Sequence, residues 1–152
     1  MKFINSILLW LFLSKNVLGQ LKKIQCYPMR SAIALSGNIS SLEVVDPALG
    51  ISFKSFNDTI LSVSDGIIKD VGKYGIENHR SFIMISNHRE LITYYMLDKA
   101  FVISGNSVKC GQPIGLAKRS PHRQECVVTL IIKENGEYLS RHNYSRLIWT
   151  AL

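Results

Sequence analysis

Histidine and acidic side chains are the residues with the most scope for chemistry in this 152-residue sequence. Imidazole groups bind transition metals and exchange protons near neutral pH, and carboxylates act as general acids or bases. The four histidines are His79, His88, His122 and His142. Each of them lies among Asn, Arg, Ser or Pro residues, which are typical of loops. We interpret the histidines as solvated loop residues, with a metal site rebuilt from these loops as the alternative.

Three aspartates are interpreted as turn formers rather than catalytic carboxylates, namely Asp58, Asp65 and Asp98.

The three cysteines raise the question of a disulfide, since an odd number cannot all pair within one chain. Cys110 and Cys126 are the predicted pair, because both flank apolar segments in the same half of the sequence. Cys26 lies apart from them in an N-terminal segment. Three reduced thiols are the alternative. No two cysteines have the CxxC spacing of zinc ribbons or thioredoxin-like motifs, so neither kind of site is predicted.

The N-terminus has the pattern of a secretory signal at residues 1–19. Lys2 precedes an apolar stretch at residues 3–13, and the small residue Gly19 ends a candidate cleavage site. An apolar stretch of about 7–15 residues fits a signal, whereas a spanning helix needs about 18 or more. We expect export, with a soluble mature chain from Gln20 and no integral membrane span. A short membrane anchor is the alternative.

The sequence is basic, with a formal net charge of +7. A basic exported protein meets anionic lipid headgroups and cell-wall polymers before it meets nucleic acid. The sequence contains neither an arginine-rich run nor an RNA-recognition motif that combines basic and aromatic residues. We therefore expect no nucleic-acid partner. A charge that only keeps the protein soluble is the alternative interpretation.

Beyond the signal, the sequence predicts a lead at residues 20–31, one domain at 32–140 and a tail at 141–152. The domain consists of short apolar runs rich in Val, Ile, Tyr and Phe, separated by turn residues, and no run sustains a helical period. The predicted strands lie at residues 59–63, 67–71, 81–86, 91–97, 101–103 and 126–132. Asn135-Gly136 predicts a hairpin turn, because both residues tolerate positive φ. Many short strands of this kind indicate an all-β barrel or sandwich.

Glycines and apolar residues in a fixed order carry a family resemblance over residues 49–138. The matching elements are Gly50-Ile51, residues 60–68, Tyr74-Gly75, Ile85, Thr93-Tyr94, Leu97, Val102, Gly105, Val108, residues 111–115 and residues 130–136. Together they resemble the lysostaphin-type, or LytM-type, zinc endopeptidases of bacterial cell walls. The resemblance implies a small barrel-sandwich hybrid, built from a duplicated hybrid motif, with a groove that in active relatives holds peptide cross-links of peptidoglycan. The candidate groove residues are Tyr94, Tyr95 and Met96.

The same resemblance indicates where a zinc site would lie. In that family zinc is held by a His, by an Asp four residues later and by the second His of a His-x-His strand, which leaves one position for an attacking water. These ligand positions fall here on Ala48, Ser52 and Thr129, and two assisting histidine positions fall on Met96 and Val127. None of these side chains is a strong zinc ligand. The resemblance therefore implies a degenerate member with no catalytic residues and no cofactor.

An alternative alignment retains one histidine at the site. It places His122 at the start of the His-x-His strand and leaves Gln124 for the second histidine. This alignment requires extra residues before the hairpin turn and gives the strand a charged sequence. Zinc is expected only if this alignment holds.

The leading hypothesis is an exported pseudo-enzyme in the periplasm or cell envelope of a bacterium. Such a domain would bind peptidoglycan, or regulate a cell-wall amidase or another hydrolase, without cutting the wall itself. Two alternatives are an active metallo-endopeptidase with substituted ligands and an adaptor barrel of the biotinyl or lipoyl type. The spacing of Gly105, Val108 and Gly111 supports the adaptor, but the sequence has no carrier lysine between methionines.

Overall fold

The computed structural model describes residues 24–35, 50–75, 80–120, 122–139 and 148–150. Several predictions fall outside these residues: the signal at 1–19, most of the tail, the ligand position Ala48, and the histidines His79 and His142. Within the described residues the chain is all-β, as predicted, with twelve strands and no helix. No segment there forms a helix that could cross a membrane.

Residues rich in β-branched and aromatic side chains form the longer strands, as their propensities favour. In chain order the strands are β1 (Ile24–Cys26), β2 (Ile33–Leu35), β3 (Gly50–Ser55), β4 (Thr59–Leu61), β5 (Gly66–Tyr74), β6 (Arg80–Ser86), β7 (Glu90–Ala100), β8 (Ser107–Val108), β9 (Pro113–Ala117), β10 (Cys126–Glu134), β11 (Glu137–Tyr138) and β12 (Ile148–Thr150). The hairpin prediction is confirmed, because Asn135 and Gly136 join β10 to β11 and both have positive φ.

Ten of these strands form one antiparallel sheet, whose main path is β2-β3-β10-β7-β6-β5-β8, with β11 beside β10. Strand β7 changes partner along its length. Its first part pairs with β10 as far as Tyr95, and its end pairs with β9 from Leu97 onward. Strand β9 also pairs with β4, so the sheet branches at this point. Met96 lies between the two pairings and has a φ of 73°.

The hydrophobic core covers one face of β3, β10 and β7, since alternate residues of a strand point to opposite faces. Its largest fully buried side chains are Tyr94, Phe53, Met29, Ile60, Ile68, Ile83, Ile85, Ile92, Leu97, Ile114, Leu130 and Ile132. The other face of the same three strands carries the residues that align with the family's zinc site. The fold therefore separates a packed face from a candidate functional face.

A disulfide joins Cys26 to Cys110, so the predicted pair of Cys110 with Cys126 is wrong. The N–H group of Cys26 donates to the Val63 carbonyl oxygen at 3.0 Å, and Cys110 Sγ lies 3.2 Å from the same oxygen. The two Cα atoms are 6.0 Å apart, a distance that a disulfide can bridge. Cys126 is a buried free thiol in β10. The pairing thus depends on where the N-terminal segment packs, which proximity in sequence does not reveal.

One further prediction of local structure is wrong. Residues 101–103 form no strand. The Phe101 N–H group still donates to Ile114 O of β9 at 2.8 Å, but the Ile103 N–H group donates to the side-chain oxygen Asn106 Oδ1 at 3.0 Å instead of to a strand. The N-terminal lead contains one short strand, β1. This strand pairs in parallel with β12 of the tail, apart from the main sheet.

Candidate functional site

A row of three polar residues crosses the functional face of the sheet. Ser52 of β3 is the register partner of Thr129 of β10, and Thr129 is in turn the register partner of Tyr95 of β7. Directly opposed residues of neighbouring strands share one face, so the three side chains lie side by side. Phe53, Val128, Leu130 and Tyr94, which adjoin these residues along the strands, are buried in the core. Strand pairing thus brings together residues that are 34 or more positions apart in the sequence.

The hydroxyl groups of Ser52 and Thr129 are hydrogen-bonded to each other. Ser52 Oγ and Thr129 Oγ1 are 2.7 Å apart, and the two residues are only 8% and 2% exposed. A buried hydroxyl without a partner is costly, and each of these supplies the partner of the other. The alignment predicted that these two positions meet at one site. The structure confirms their proximity.

This pair does not fit a zinc ion. Zinc in proteins is held by thiolate, imidazole or carboxylate groups, whereas Ser52 and Thr129 offer neutral hydroxyls that are already hydrogen-bonded. In the part of the chain that the structure describes, no three His, Cys, Asp or Glu side chains form a group that could hold a metal. Ala48, the remaining aligned ligand position, lies outside that part. We derive no chemistry through a metal at this site.

The two assisting positions also carry no catalytic group. Val127 lies opposite Lys54 of β3, and the Lys54 ammonium forms an ion pair with Glu125 at 3.2 Å. Met96 is held by its backbone, since its N–H group donates to Tyr74 Oη at 2.9 Å and its carbonyl oxygen accepts from the Lys118 N–H group at 3.1 Å. A positive φ is uncommon for a residue other than glycine, so these bonds fix Met96 in a strained conformation.

The alternative alignment expects a strand at His122 and Gln124, and the structure places neither residue in a strand. Strand β10 begins at Cys126, whereas His122 and Gln124 lie in the turn before it. Both residues are exposed, and Gln124 has a positive φ of 51°. His88 is also exposed, in the turn between β6 and β7, as the interpretation of solvated loop histidines predicts.

Of the three predicted groove residues, Tyr94 is placed wrongly. It is fully buried in the core, and its hydroxyl oxygen accepts a hydrogen bond from the Val63 N–H group at 2.8 Å. Burial raises the pKa of the Tyr94 phenol far above its usual value. Tyr95 and Met96 are half-buried, and Tyr95 points to the opposite face from Tyr94. Of the three predicted groove residues, Tyr95 and Met96 are therefore the two available to a ligand.

Sequence reasoning missed an aromatic cluster around Tyr95. The Tyr74 ring stands perpendicular to the Tyr95 ring, with centroids 5.2 Å apart, and the tilted Phe82 ring is 6.4 Å from it. Burial raises the pKa of Tyr95, and the phenols of Tyr138 and Tyr74 raise it further. Burial also raises the pKa of Tyr74. No local motif signals this cluster, because its members meet only through the pairing of β5, β6 and β7.

Comparison with solved structures identifies the fold. Csd3 from Helicobacter pylori matches with a TM-score of 0.61 and 19% identity, over 85% of this chain and 36% of that chain. A zinc-containing peptidase from Vibrio cholerae matches at 0.58 and 23%, over 75% and 37%. A chain of the SpoIIQ–SpoIIIAH pore-forming complex matches at 0.57 and 14%, over 82% and 92%. Lysostaphin matches at 0.51 and 18%, over 68% and 45%.

The chain therefore has the fold of the lysostaphin-type peptidases, as the sequence resemblance implied. It spans little more than a third of the length of Csd3 and of the Vibrio peptidase. A scan of protein-family models finds no match for the sequence, and neither does a search of curated proteins. The fold is therefore that of a peptidase-like domain, and the two described positions that the resemblance aligns with metal ligands carry hydroxyl groups.

Proposed function

We propose that this chain is an exported, catalytically degenerate lysostaphin-type domain that binds peptidoglycan without cutting it. The observation that carries the proposal is the hydrogen bond between Ser52 and Thr129. Two positions that would hold zinc instead hold a buried pair of hydroxyls 2.7 Å apart. The fold presents the half-buried Tyr95 and Met96 beside this pair, so a surface for a ligand is kept where the ligands for a metal are replaced.

The disulfide supports export. Disulfides form and persist in oxidising compartments and are rare in the cytosol. The bond between Cys26 and Cys110 fastens the start of the described chain to the loop between β8 and β9. This argument is independent of the signal pattern at residues 1–19. The proposed location is the periplasm or cell envelope of a bacterium.

Three measurements on the purified mature chain test the proposal. Metal analysis after dialysis against zinc should find no stoichiometric ion, and incubation with isolated peptidoglycan should release no muropeptides. The chain should nevertheless co-sediment with the peptidoglycan. One equivalent of bound zinc together with muropeptide release would show an active peptidase, and failure to co-sediment would remove the binding function.

A double variant tests whether Ser52 and Thr129 occupy the positions of zinc ligands. Ser52→Asp with Thr129→His introduces a carboxylate and an imidazole, both of which are zinc ligands, at the two facing positions. This variant should retain more zinc after dialysis than the wild-type chain. As a control, Ser86→Asp with Ile67→His adds the same groups at facing positions of β6 and β5, away from the row. Equal zinc retention in both variants would contradict the assignment of Ser52 and Thr129.

Regulation of a cell-wall amidase or another hydrolase is a second candidate function. It is favoured by one comparison, since a chain of the same fold belongs to the SpoIIQ–SpoIIIAH complex, which is an assembly of proteins. In that case the chain would change the rate of a purified amidase on peptidoglycan. A rate that the chain leaves unchanged, together with co-sedimentation in the absence of other proteins, would favour direct binding.

A further inference from the structure

The hydroxyl group of Tyr95 is the starting point for an inference about the ligand. Tyr95 is half-buried, and its ring packs against Tyr74 and Phe82. Within the described residues its hydroxyl group has no hydrogen-bond partner, whereas the hydroxyls of Tyr74 and Tyr94 each accept a backbone N–H group. A phenol that is partly withdrawn from water usually has a partner. Tyr95 therefore offers one unused donor and acceptor on the functional face.

The rings around Tyr95 form a partly exposed aromatic surface. Tyr74, Phe82 and Tyr95 are each half-buried, and they come from three adjacent strands, β5, β6 and β7. Gly72 lies opposite Phe82 in the sheet, and a Cβ atom at Gly72 would come within 2.5 Å of the Phe82 ring. The absent side chain at Gly72 thus leaves room for the Phe82 ring to lie over the sheet.

A cation lies on the same face. Lys133 follows Thr129 by four residues in β10. Because successive side chains of a strand alternate between its faces, both side chains project from the same face. Lys133 Nζ lies 5.0 Å from the centroid of the Tyr138 ring, and within the described residues it forms no ion pair with a carboxylate. Tyr138 is 54% exposed, and its phenol contributes to the raised pKa of Tyr95. An ammonium group paired only with a ring is available to an anion.

We propose that Tyr95, Tyr138 and Lys133 bind a carboxylate-bearing amino sugar of a glycan strand, and that this is the part of the cell wall that the domain recognises. The aromatic surface would pack against the C–H face of the sugar ring. The Tyr95 hydroxyl would bond to a ring hydroxyl or an N-acetyl group, and Lys133 would pair with the carboxylate. This inference rests on the proposed function and narrows it to one component of peptidoglycan.

The chemistry favours a glycan from which peptides have been removed. In intact peptidoglycan the lactyl carboxyl group of the muramic acid unit is joined to the peptide stem as an amide. Hydrolysis of that amide leaves a free carboxylate on the sugar, which is the group that Lys133 would pair with. The domain would therefore recognise the product of an amidase that cuts between sugar and peptide. A charged pairing of this kind is stronger than a neutral hydrogen bond.

Two sugars that differ chiefly in the carboxylate test the site. N-Acetylmuramic acid carries the lactyl carboxylate, and N-acetylglucosamine has the same ring without it. Each is titrated into the isotope-labelled mature chain, and the amide signals of β7 and β10 are followed by nuclear magnetic resonance. We expect N-acetylmuramic acid to shift these signals and to bind more tightly than N-acetylglucosamine.

Conservative variants separate the contributions of the hydroxyl and the charge. Tyr95→Phe removes only the hydroxyl group and should weaken binding of both sugars about five- to tenfold, as expected for one hydrogen bond. Lys133→Gln should abolish the preference for N-acetylmuramic acid and leave the weaker binding of N-acetylglucosamine. Tyr27→Phe and Lys99→Gln are the matched controls. Tyr27 packs against Phe53 on the core side of β3, and Lys99 lies near the end of β7. Both control variants should bind the sugars like the wild type.

The outcomes separate this inference from the proposed function. If the chain co-sediments with intact peptidoglycan but no sugar shifts the signals of β7 and β10, the sugar site is refuted and binding to the wall stands. A stem peptide that shifts these signals when the sugars do not would also refute it. If sugar binding follows the expected order while intact peptidoglycan is not bound, the proposed binding to the intact wall fails and only the sugar site for stripped glycan stands.

Discussion

Ser52 and Thr129 face each other on adjacent strands with their hydroxyl oxygens 2.7 Å apart, at two positions that the sequence resemblance aligns with metal ligands of lysostaphin-type peptidases. The pair is buried, so the hydrogen bond replaces the bonds that each hydroxyl would make to water. Replacement of one member by an apolar residue leaves the other without a partner. The two residues therefore act as one structural unit.

A double-mutant cycle should measure this dependence. Ser52→Ala and Thr129→Val alone should each lower the free energy of unfolding by about 1–3 kcal/mol, since each leaves a buried hydroxyl without a partner. The double variant should lose less than the sum of the two, with a coupling of about 0.5–3 kcal/mol. Urea unfolding provides the four values. As a control, Ser52→Ala combined with Thr93→Val, a buried residue two strands away, should be additive.

The disulfide should account for a substantial part of the stability of the domain. Cys26 and Cys110 are 84 positions apart, and their bond restricts a long loop of the unfolded chain. Cys26→Ser with Cys110→Ser should therefore lower the free energy of unfolding by about 2–4 kcal/mol. Non-reducing peptide mapping should find the linked pair and an unlinked Cys126. A peptide that joins Cys110 to Cys126 would contradict the structure. Cys126→Ala, as the control, should leave the linked peptide in place.

Tyr94 should make the domain sensitive to alkaline pH. Burial raises its pKa in the folded state above the value of about 10 expected for the unfolded chain. Below pH 10 the phenol is neutral in both states, and above pH 10 only the unfolded state ionises, so stability falls as pH rises. Tyr94→Phe should make this fall shallower by up to about 1.4 kcal/mol per pH unit, the slope for one proton.

At neutral pH the same variant should be less stable than the wild type by about 1–3 kcal/mol, because the Val63 N–H group loses its acceptor. Urea unfolding at pH 8 and pH 11 measures both effects. Tyr138→Phe is the control, since Tyr138 is 54% exposed and makes no core contact. Equal slopes for Tyr94→Phe and the wild type would show that Tyr94 ionises in the folded state.

Met96 should tolerate glycine better than an ordinary strand residue does. Its φ of 73° is easily adopted by glycine, whereas for other residues such a conformation costs of order 1–3 kcal/mol. Relief of this strain in Met96→Gly should offset the loss of the side chain. Met84→Gly, at a half-buried position of β6, gains no such relief and should be less stable than Met96→Gly by about 1–2 kcal/mol. Equal losses in thermal unfolding would show that Met96 stores no strain.

The sequence by itself determined the class of the fold, and it predicted that the aligned ligand positions carry no strong metal ligand. Short runs of β-branched and aromatic residues between turn signals predicted most of the strands, because strand propensity and turn chemistry are local properties. Asn135-Gly136 predicted its hairpin for the same reason. The order of glycines and apolar residues placed Ser52 and Thr129 at one site, and the chemistry of a side chain is readable without coordinates.

Only the tertiary structure decided how these residues meet. Tyr94 and Tyr95 are neighbours in sequence, but strand alternation and packing place one in the core and the other among Tyr74 and Phe82. The disulfide partner of Cys110 was decided by the path of β1 across Val63. These contacts depend on which strands pair and in what register, and residues far apart in sequence set that register through the core they share.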